Sequence, residues 1–560
     1  MAHLISNLEK LNKEIGGNVF DKFLAANLFL DSPIMVIPYI LQICDKKYFL
    51  YREQELGNIG SIDISNLIKM PFKPYFLISK EKELMAKNVF EKIEEILINE
   101  EIEDKLQIDN NLPYNFYNEL CLQLNKINIL KEKENYPKKN TIVYSISTEK
   151  VMERFITHRQ KAQTYAQALI LNSVDRLVLE EGISNIEDSR FTLLSSIMKE
   201  NNFSSVLMSS KLNIQELTSL PIRNKSSRIC AVYRKEDDKV FILSDCEIDD
   251  PRLNKIDIFS DYFQALETII DKNSTLGFED HLVSASEYDR FSERGFLLGK
   301  GTLAFRQWRE YRAGEDLAFY IIAGKASNYA MENTLKEASS LISQSEYKSE
   351  KVLFQKYLDY FKEFKIIHNL PYLFSEYFTN FYASDRTLYP SIPSNFMVNK
   401  NTEEIKIDAG ILLLDSQGLI LGTTDIARTL PLSFQSNKIY ELIKNTIKKD
   451  IIPNIKNVDT FEEIYYQGIK SFSENCEDVL KEYNLCPSSF SIIRDYNRDI
   501  GHLMGKQESF NEKIFKGHKN KLRKNFIGCV EIQWQYKKHV LVYEDMWYIG
   551  EKKKIANITG

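Results

Sequence analysis

The residues best suited to chemistry lie in the last quarter of the chain. It opens on IKIDAGILLLDSQGLILGTTDIARTLPL (405–432), continues with GHLMGKQES (501–509) and closes on IGCVEIQWQY (527–536) and VLVYEDMWYIG (540–550). Carboxylates and one histidine sit among apolar and β-branched residues, the setting that a buried divalent ion requires. Segments 405–414 and 419–424 flank the turn-forming run Asp415-Ser416-Gln417-Gly418 and read as a β-hairpin. A turn centred between Ser416 and Gln417 sets Asp408 opposite Asp425, with the two side chains about 5 Å apart on one face. Carboxylates held that close repel each other unless a proton or a cation lies between them. His502 follows in Gly501-His502-Leu503-Met504-Gly505, and Glu531 and Glu544 fall on two predicted strands joined at Lys537-Lys538-His539. Two Asp, one His and two Glu make an oxygen-rich set suited to Mn, Co, Fe or Zn; with one imidazole among them, a carboxylate-bridged pair of ions is the simpler expectation.

These motifs, in this order, resemble the M24 metallopeptidases of the pita-bread fold and, among them, the aminopeptidase P group. The resemblance rests on IDAG (407–410), GTTDIART (422–429), GHxxG (501–505) and YED (543–545), and covers residues 320–560. It implies Asp408, Asp425, His502, Glu531 and Glu544 as ligands of two divalent ions, manganese first and Co, Zn or Fe as the others. It further implies Glu531 as general base toward a metal-bridging hydroxide, Arg428 packed behind Asp425 to orient it, a peptide with proline second as substrate, and a homodimer. The chain also departs from the family pattern. Where the family has Glu-Pro-Gly it reads Glu531-Ile532-Gln533, and either Glu531 or Gln533 can take the ligand position. The family's substrate-contacting histidines have no counterpart, since the matching stretches read Leu388-Tyr389-Pro390 and Gln507-Glu508-Ser509-Phe510-Asn511. The competing expectation is therefore a catalytically degenerate M24 protein that keeps the cleft for binding a peptide or protein.

The elements that position these residues follow from the rest of the chain. At 560 residues it exceeds one core and divides into several domains. Two stretches, 36–51 and 228–243, each read strand, charged turn, strand; the second follows a predicted helix, turn and buried strand at 191–208 that looks like the start of a creatinase-type amino-terminal domain. We expect an α/β (α+β) chain with creatinase-N-like domains at 1–145 and 146–320 and a pita-bread domain at 321–560. KEKENYPKKN (131–140) reads as a linker, 149–181 as helical, and 326–342 and 349–364 as amphipathic helices covering the last sheet. A net charge of −6 argues against nucleic acid as the main partner. Seven scattered cysteines without a CxxC pair indicate a reducing, cytoplasmic setting. The amino terminus does not read as a signal peptide, and the most apolar run, 34–41, contains Pro38 and is too short for a membrane span. No GxxxxGK[ST], HExxH or GxSxG motif is present.

Overall fold

The computed structural model describes residues 2–5, 39–43, 46–52, 72–77, 93–102, 105–109, 112, 114–124, 127–131, 139–222, 228–344, 348–383, 393, 395–536 and 539–559. Most of the predicted linker, the start of the apolar run at 34–41, the Lys537-Lys538 turn and Leu388-Tyr389-Pro390 lie outside the described residues. The chain separates into two compact units, one of residues 1–152 with 191–305, the other of 153–190 with 306–560.

The first unit holds two sheets. The six-stranded one comprises β1 (Ala2–Ile5), β2 (Tyr39–Ile43), β3 (Lys46–Arg52), β4 (Phe72–Leu77), β5 (Lys105–Ile108) and β6 (Asn128–Lys131), in the order β4-β3-β2-β1-β5-β6. The seven-stranded one comprises β7 (Thr141–Ser147), β8 (Ser205–Met208), β9 (Ile229–Arg234), β10 (Lys239–Ser244), β11 (Asn254–Phe259), β12 (Thr275–Phe278) and β13 (Leu297–Lys300), in the order β11-β7-β10-β9-β8-β12-β13. The path β3-β2-β1-β5-β6 recurs as β10-β9-β8-β12-β13, with two antiparallel pairings followed by two parallel ones in each. The two hairpins read from the sequence are β2–β3 and β9–β10, so the likeness between them extends to the sheets that contain them. Each sheet has its own apolar core, one built on Leu4, Leu41 and Leu106, the other on Leu207, Val232 and Leu276.

The second unit carries the candidate site. Beside a short antiparallel pair, β14 (Lys348–Ser349) with β16 (Met397–Val398), there is a sheet in which β15 (Leu373–Ala383) pairs with β17 (Glu404–Leu414), and β17 pairs in turn with β18 (Ile420–Thr423) and β19 (Ile426–Pro431). A second sheet runs β21-β20-β22-β23-β24, formed by Gly501–Met504 (β20), Glu508–Lys513 (β21), Ile527–Tyr536 (β22), His539–Ile549 (β23) and Ile555–Asn557 (β24). Helices Leu317–Ser343 and Glu350–Ile367 pack on the first sheet, and Ser349 caps the second of them by accepting from the Val352 N–H. Helices Phe434–Asn445 and Phe461–Glu482 bury Ile439, Ile443 and Phe472 against Leu503, Ile532 and Leu541 of the second sheet. Between the sheets, the Thr429 hydroxyl accepts from Val542 N (3.0 Å) and donates to Val542 O (3.2 Å), while buried Glu404 accepts from Val540 N (3.0 Å). Side chains thus satisfy backbone groups where β19 and β23 approach without a ladder.

The hairpin register differs from the symmetric one expected. Asp408 lies opposite Ala427, not Asp425, and the ladder shifts between Leu413 and Leu414. The cause is local. The Asp415 carboxylate accepts from the N–H groups of Gln417 and Leu419 (2.8 Å each), and Gly418 takes a φ of 95°, which lengthens the turn. Farther along, the Thr423 hydroxyl donates to Ile411 O and the Thr424 hydroxyl accepts from Ile411 N, splitting the strand into β18 and β19 just where Asp425 stands. The displacement is two residues, so Asp408 and Asp425 share a face as diagonal neighbours, about 7–8 Å apart between backbones rather than directly opposed.

Candidate metal centre

Strand alternation places the donors in a row. On β22, Cys529 and Glu531 are two residues apart and point to one face. His502 of β20 lies directly opposite Cys529, and Glu544 of β23 directly opposite Glu531. Gly501 makes the approach of β20 possible: its φ is 135°, and a Cβ there would come within 2.1 Å of the Cys529 carbonyl. After His502, the turn is fixed by Lys506, whose N–H donates to the Tyr320 hydroxyl (2.8 Å) and whose ammonium lies 3.2 Å from Asp316. Asp425 completes the group from the break between β18 and β19, 3.3 Å from His502 Nε2.

Asp425, His502, Cys529 and Glu544 therefore offer one donor atom each within 4.8 Å of one another. Cys529 Sγ is 3.2 Å from His502 Nε2, and Nδ1 of that ring is 3.0 Å from the Leu503 carbonyl. A proton on Nδ1 donated to that carbonyl leaves Nε2 as a lone pair facing the other donors, the usual arrangement of a ligating histidine. Cys529 is the residue that sequence reasoning missed. Its signal was present: two positions before Glu531 on a strand is the same face.

In the metal-free chain the electrostatics of this group favour protonated donors, whose protons a bound cation would displace. Burial, reinforced by Asp425, Glu531 and Asp408, pushes the Glu544 carboxyl well above the ordinary carboxylate range. Burial, with Glu544 and Asp425 beside it, likewise raises the Cys529 thiol well above its usual value. Glu531 is raised by burial and by Asp408, with Lys406 and Arg498 opposing. One divalent ion among Asp425, His502, Cys529 and Glu544 would offset both the lost hydration and the carboxylate repulsion behind these shifts, and the four donors suit tetrahedral ligation.

The remaining predicted residues divide. Glu531, not Gln533, faces Glu544; Gln533 lies opposite Val542 and accepts from Arg498 (2.9 Å). Asp408 stands apart from the four-donor group. Its Oδ2 is 3.2 Å from the ammonium of Lys406 and 3.5 Å from Asn380 Nδ2. The Lys406 side chain is only 3% exposed, with its ammonium 5.5 Å from the centre of the Tyr382 ring and within the field of Glu531. Burial works against its charge, but Tyr382, Asp408 and Glu531 outweigh burial and hold the lysine above its ordinary value. Arg428 does not reach Asp425 as expected. It donates to Asp545 (2.7 Å), to Asn328 (2.9 Å) and to the Glu544 carbonyl, so it fixes the β23 backbone at Glu544. Asp545 faces away from the donor row and is further held by Thr559 (2.8 Å) and Asn557 (2.9 Å). His518 is 3.0 Å from Glu512 and takes no part in the row.

No family model matches the chain, and no curated protein matches it. Solved structures do. An X-prolyl aminopeptidase from Caenorhabditis elegans, described as a cytosolic enzyme with a di-nuclear active site, aligns over 100% of this chain and 86% of its own, with a TM-score of 0.54 and 11% identity. A prolidase from Pyrococcus furiosus aligns over 65% of this chain and 98% of its own (TM-score 0.46, 16% identity). The N-terminal domain of the FACT complex subunit SPT16 from Cicer arietinum aligns over 66% and 95% (TM-score 0.49, 14% identity). The chain has the pita-bread fold of the M24 peptidases. The alignment with the nematode enzyme runs through the amino-terminal sheets as well, so the likeness is to the longer, multidomain form of that fold.

Proposed function

We propose that the chain is a metal-dependent peptidase that cleaves the Xaa-Pro bond at a peptide amino terminus. The observation that carries this reading is the convergence of Asp425, His502, Cys529 and Glu544 within 4.8 Å, with Glu531 directly across the ladder from Glu544. A bound divalent ion supplies Lewis acidity and lowers the pKa of water toward neutrality. The chain's own residues do the rest. Glu531, directly across the ladder from Glu544, is placed to take a proton from water and return it to the leaving amine as general base. Arg428 holds the Glu544 backbone in place, and Cys529 adds a sulfur donor. A thiolate with imidazole and carboxylates shifts the preference from manganese toward zinc. The reading includes a peptide as partner, a homodimer and a cytoplasmic location. Among the described residues six cysteines are free and no helix is long and apolar enough to cross a membrane.

A second reading, a metal-bearing cleft that binds peptide without cutting it, is favoured by one observation: the Asp408 and Glu531 end of the site already faces the Lys406 ammonium. Cleavage of an Arg-Pro-Pro peptide by zinc-loaded wild type, beside Glu531→Gln and Asp425→Asn, decides between them. Cleavage in the wild type that is lost in Glu531→Gln with metal retained supports the peptidase. Bound metal with no cleavage in any sample leaves the binding reading.

A further inference from the structure

Two cation positions can be drawn in this cleft, and they differ in what already occupies their surroundings. The first is the group of Asp425, His502, Cys529 and Glu544. The second would lie between Asp408 and Glu531, and there a cation of the chain's own is in place. Lys406 and Asp408 are two residues apart on β17, so both side chains leave the strand on one face. Tyr382 of β15 is the cross-strand partner of Lys406, and Asn380 that of Asp408. The ammonium lies 3.2 Å from Asp408 Oδ2 and 5.5 Å from the centre of the Tyr382 ring, and the charge of Glu531 acts on it as well. With the Lys406 side chain 3% exposed, water cannot screen what it meets.

We propose that the Lys406 ammonium stands in for the second divalent ion, so that the chain loads one ion where a two-ion site would otherwise form. The inference rests on the metal-binding part of the reading above and deepens it. An ion bound to Asp408 would share its carboxylate with an ammonium a few ångströms away. A divalent charge about 4 Å from a unit charge in a site of low polarisability is repelled strongly enough to weaken binding on the order of 10³-fold or more. The two carboxylates meanwhile keep a neutralising partner that cannot diffuse away.

Metal content decides it, measured by mass spectrometry after dialysis of the full chain against Zn²⁺ and removal of loose ions. Wild type is expected to hold one ion per chain, and Lys406→Met two. Asp408→Asn is expected to keep its one ion, because Asp408 is not a ligand in this account; in a two-ion site the same change loses an ion. Two ions in wild type, one ion in folded Lys406→Met, or a lost ion in Asp408→Asn each overturn the inference. If Lys406→Met does not fold, the wild-type count and Asp408→Asn still decide. A wild type that binds no ion overturns the metal reading itself, an outcome distinct from two ions, which overturns only the role of Lys406.

Discussion

Replacing Arg428 with Met tests whether the ion pair behind β23 holds the Glu544 backbone. Arg428 is 4% exposed and Asp545 is fully buried, with 2.7 Å between them. Unit charges about 4 Å apart at an effective dielectric constant near 20 attract by roughly 4 kcal/mol, and removing one partner of a buried pair costs about 3–5 kcal/mol because the other charge is left uncompensated. Two features move the expectation to the low end. Asp545 still accepts from Thr559, Asn557 and Tyr543, and Lys448 lies 3.8 Å away. We therefore expect Arg428→Met to destabilise the second unit by about 3 kcal/mol. All three tryptophans, Trp308, Trp534 and Trp547, belong to that unit, so their fluorescence in a urea titration reports on it alone. Adding Asp545→Asn to Arg428→Met should restore more than half of the loss, since the orphaned charge is then gone. A single-variant loss under about 1 kcal/mol, or a double variant no better than the single, would show that the pair is not the anchor inferred here.

The metal-free protein should respond to pH with a definite sign. Burial and the neighbouring Asp425 and Glu531 raise the Glu544 carboxyl in the folded state, so the folded chain keeps a proton that the unfolded chain releases at its ordinary value of 4.5. Its contribution to stability is complete below that value and is lost as the pH rises through the folded pKa. Urea midpoints of metal-free protein should fall with rising pH across this window and, with saturating zinc, should not, because metal binding displaces the proton. A metal-free midpoint that rises steadily with pH would refute this. Cys529→Ala should weaken zinc binding at least tenfold while leaving urea stability of the metal-free chain little changed, and cobalt-loaded protein should lose its thiolate-to-metal absorption. An unaltered cobalt spectrum would place the sulfur outside the coordination sphere.

Much of the site was legible because strands have a period of two. That period puts Glu531 on one face of β22 and, from the order of the motifs, His502 and Glu544 on the strands beside it, with Asp425 in the break between β18 and β19. It also contained Cys529, overlooked because sulfur lay outside the expected ligand types. The hairpins at β2–β3 and β9–β10 were readable for the same reason, since each is a short apolar alternation about a charged turn. The register of the Asp408 strand was not readable. It depends on Asp415 accepting two backbone N–H groups and on two threonines bonding Ile411. A symmetric turn and this one have the same residue types in the same order. Arg428 was placed behind the wrong aspartate because its partner, Asp545, lies 117 residues later, on a strand whose approach to β19 no local pattern encodes.

Lys406 shows what a non-local contact does to a motif. Read along β17, it is a charged residue in an apolar run, indistinguishable from one that points to solvent. Only when Tyr382 of β15 lies across from it and the charge of Glu531 from β22 acts on it does it become the cation of an otherwise over-charged pocket. The retention of Asp408 and Glu531 therefore does not by itself argue for two ions. A partly buried carboxylate pair can be compensated by one charge, and an ammonium on the same strand as Asp408 supplies it without a free ion. On the proposal made above, the neighbours of the carboxylates, as well as the carboxylates themselves, set how many ions this chain holds. In this chain the first residue to change is the lysine two positions before Asp408.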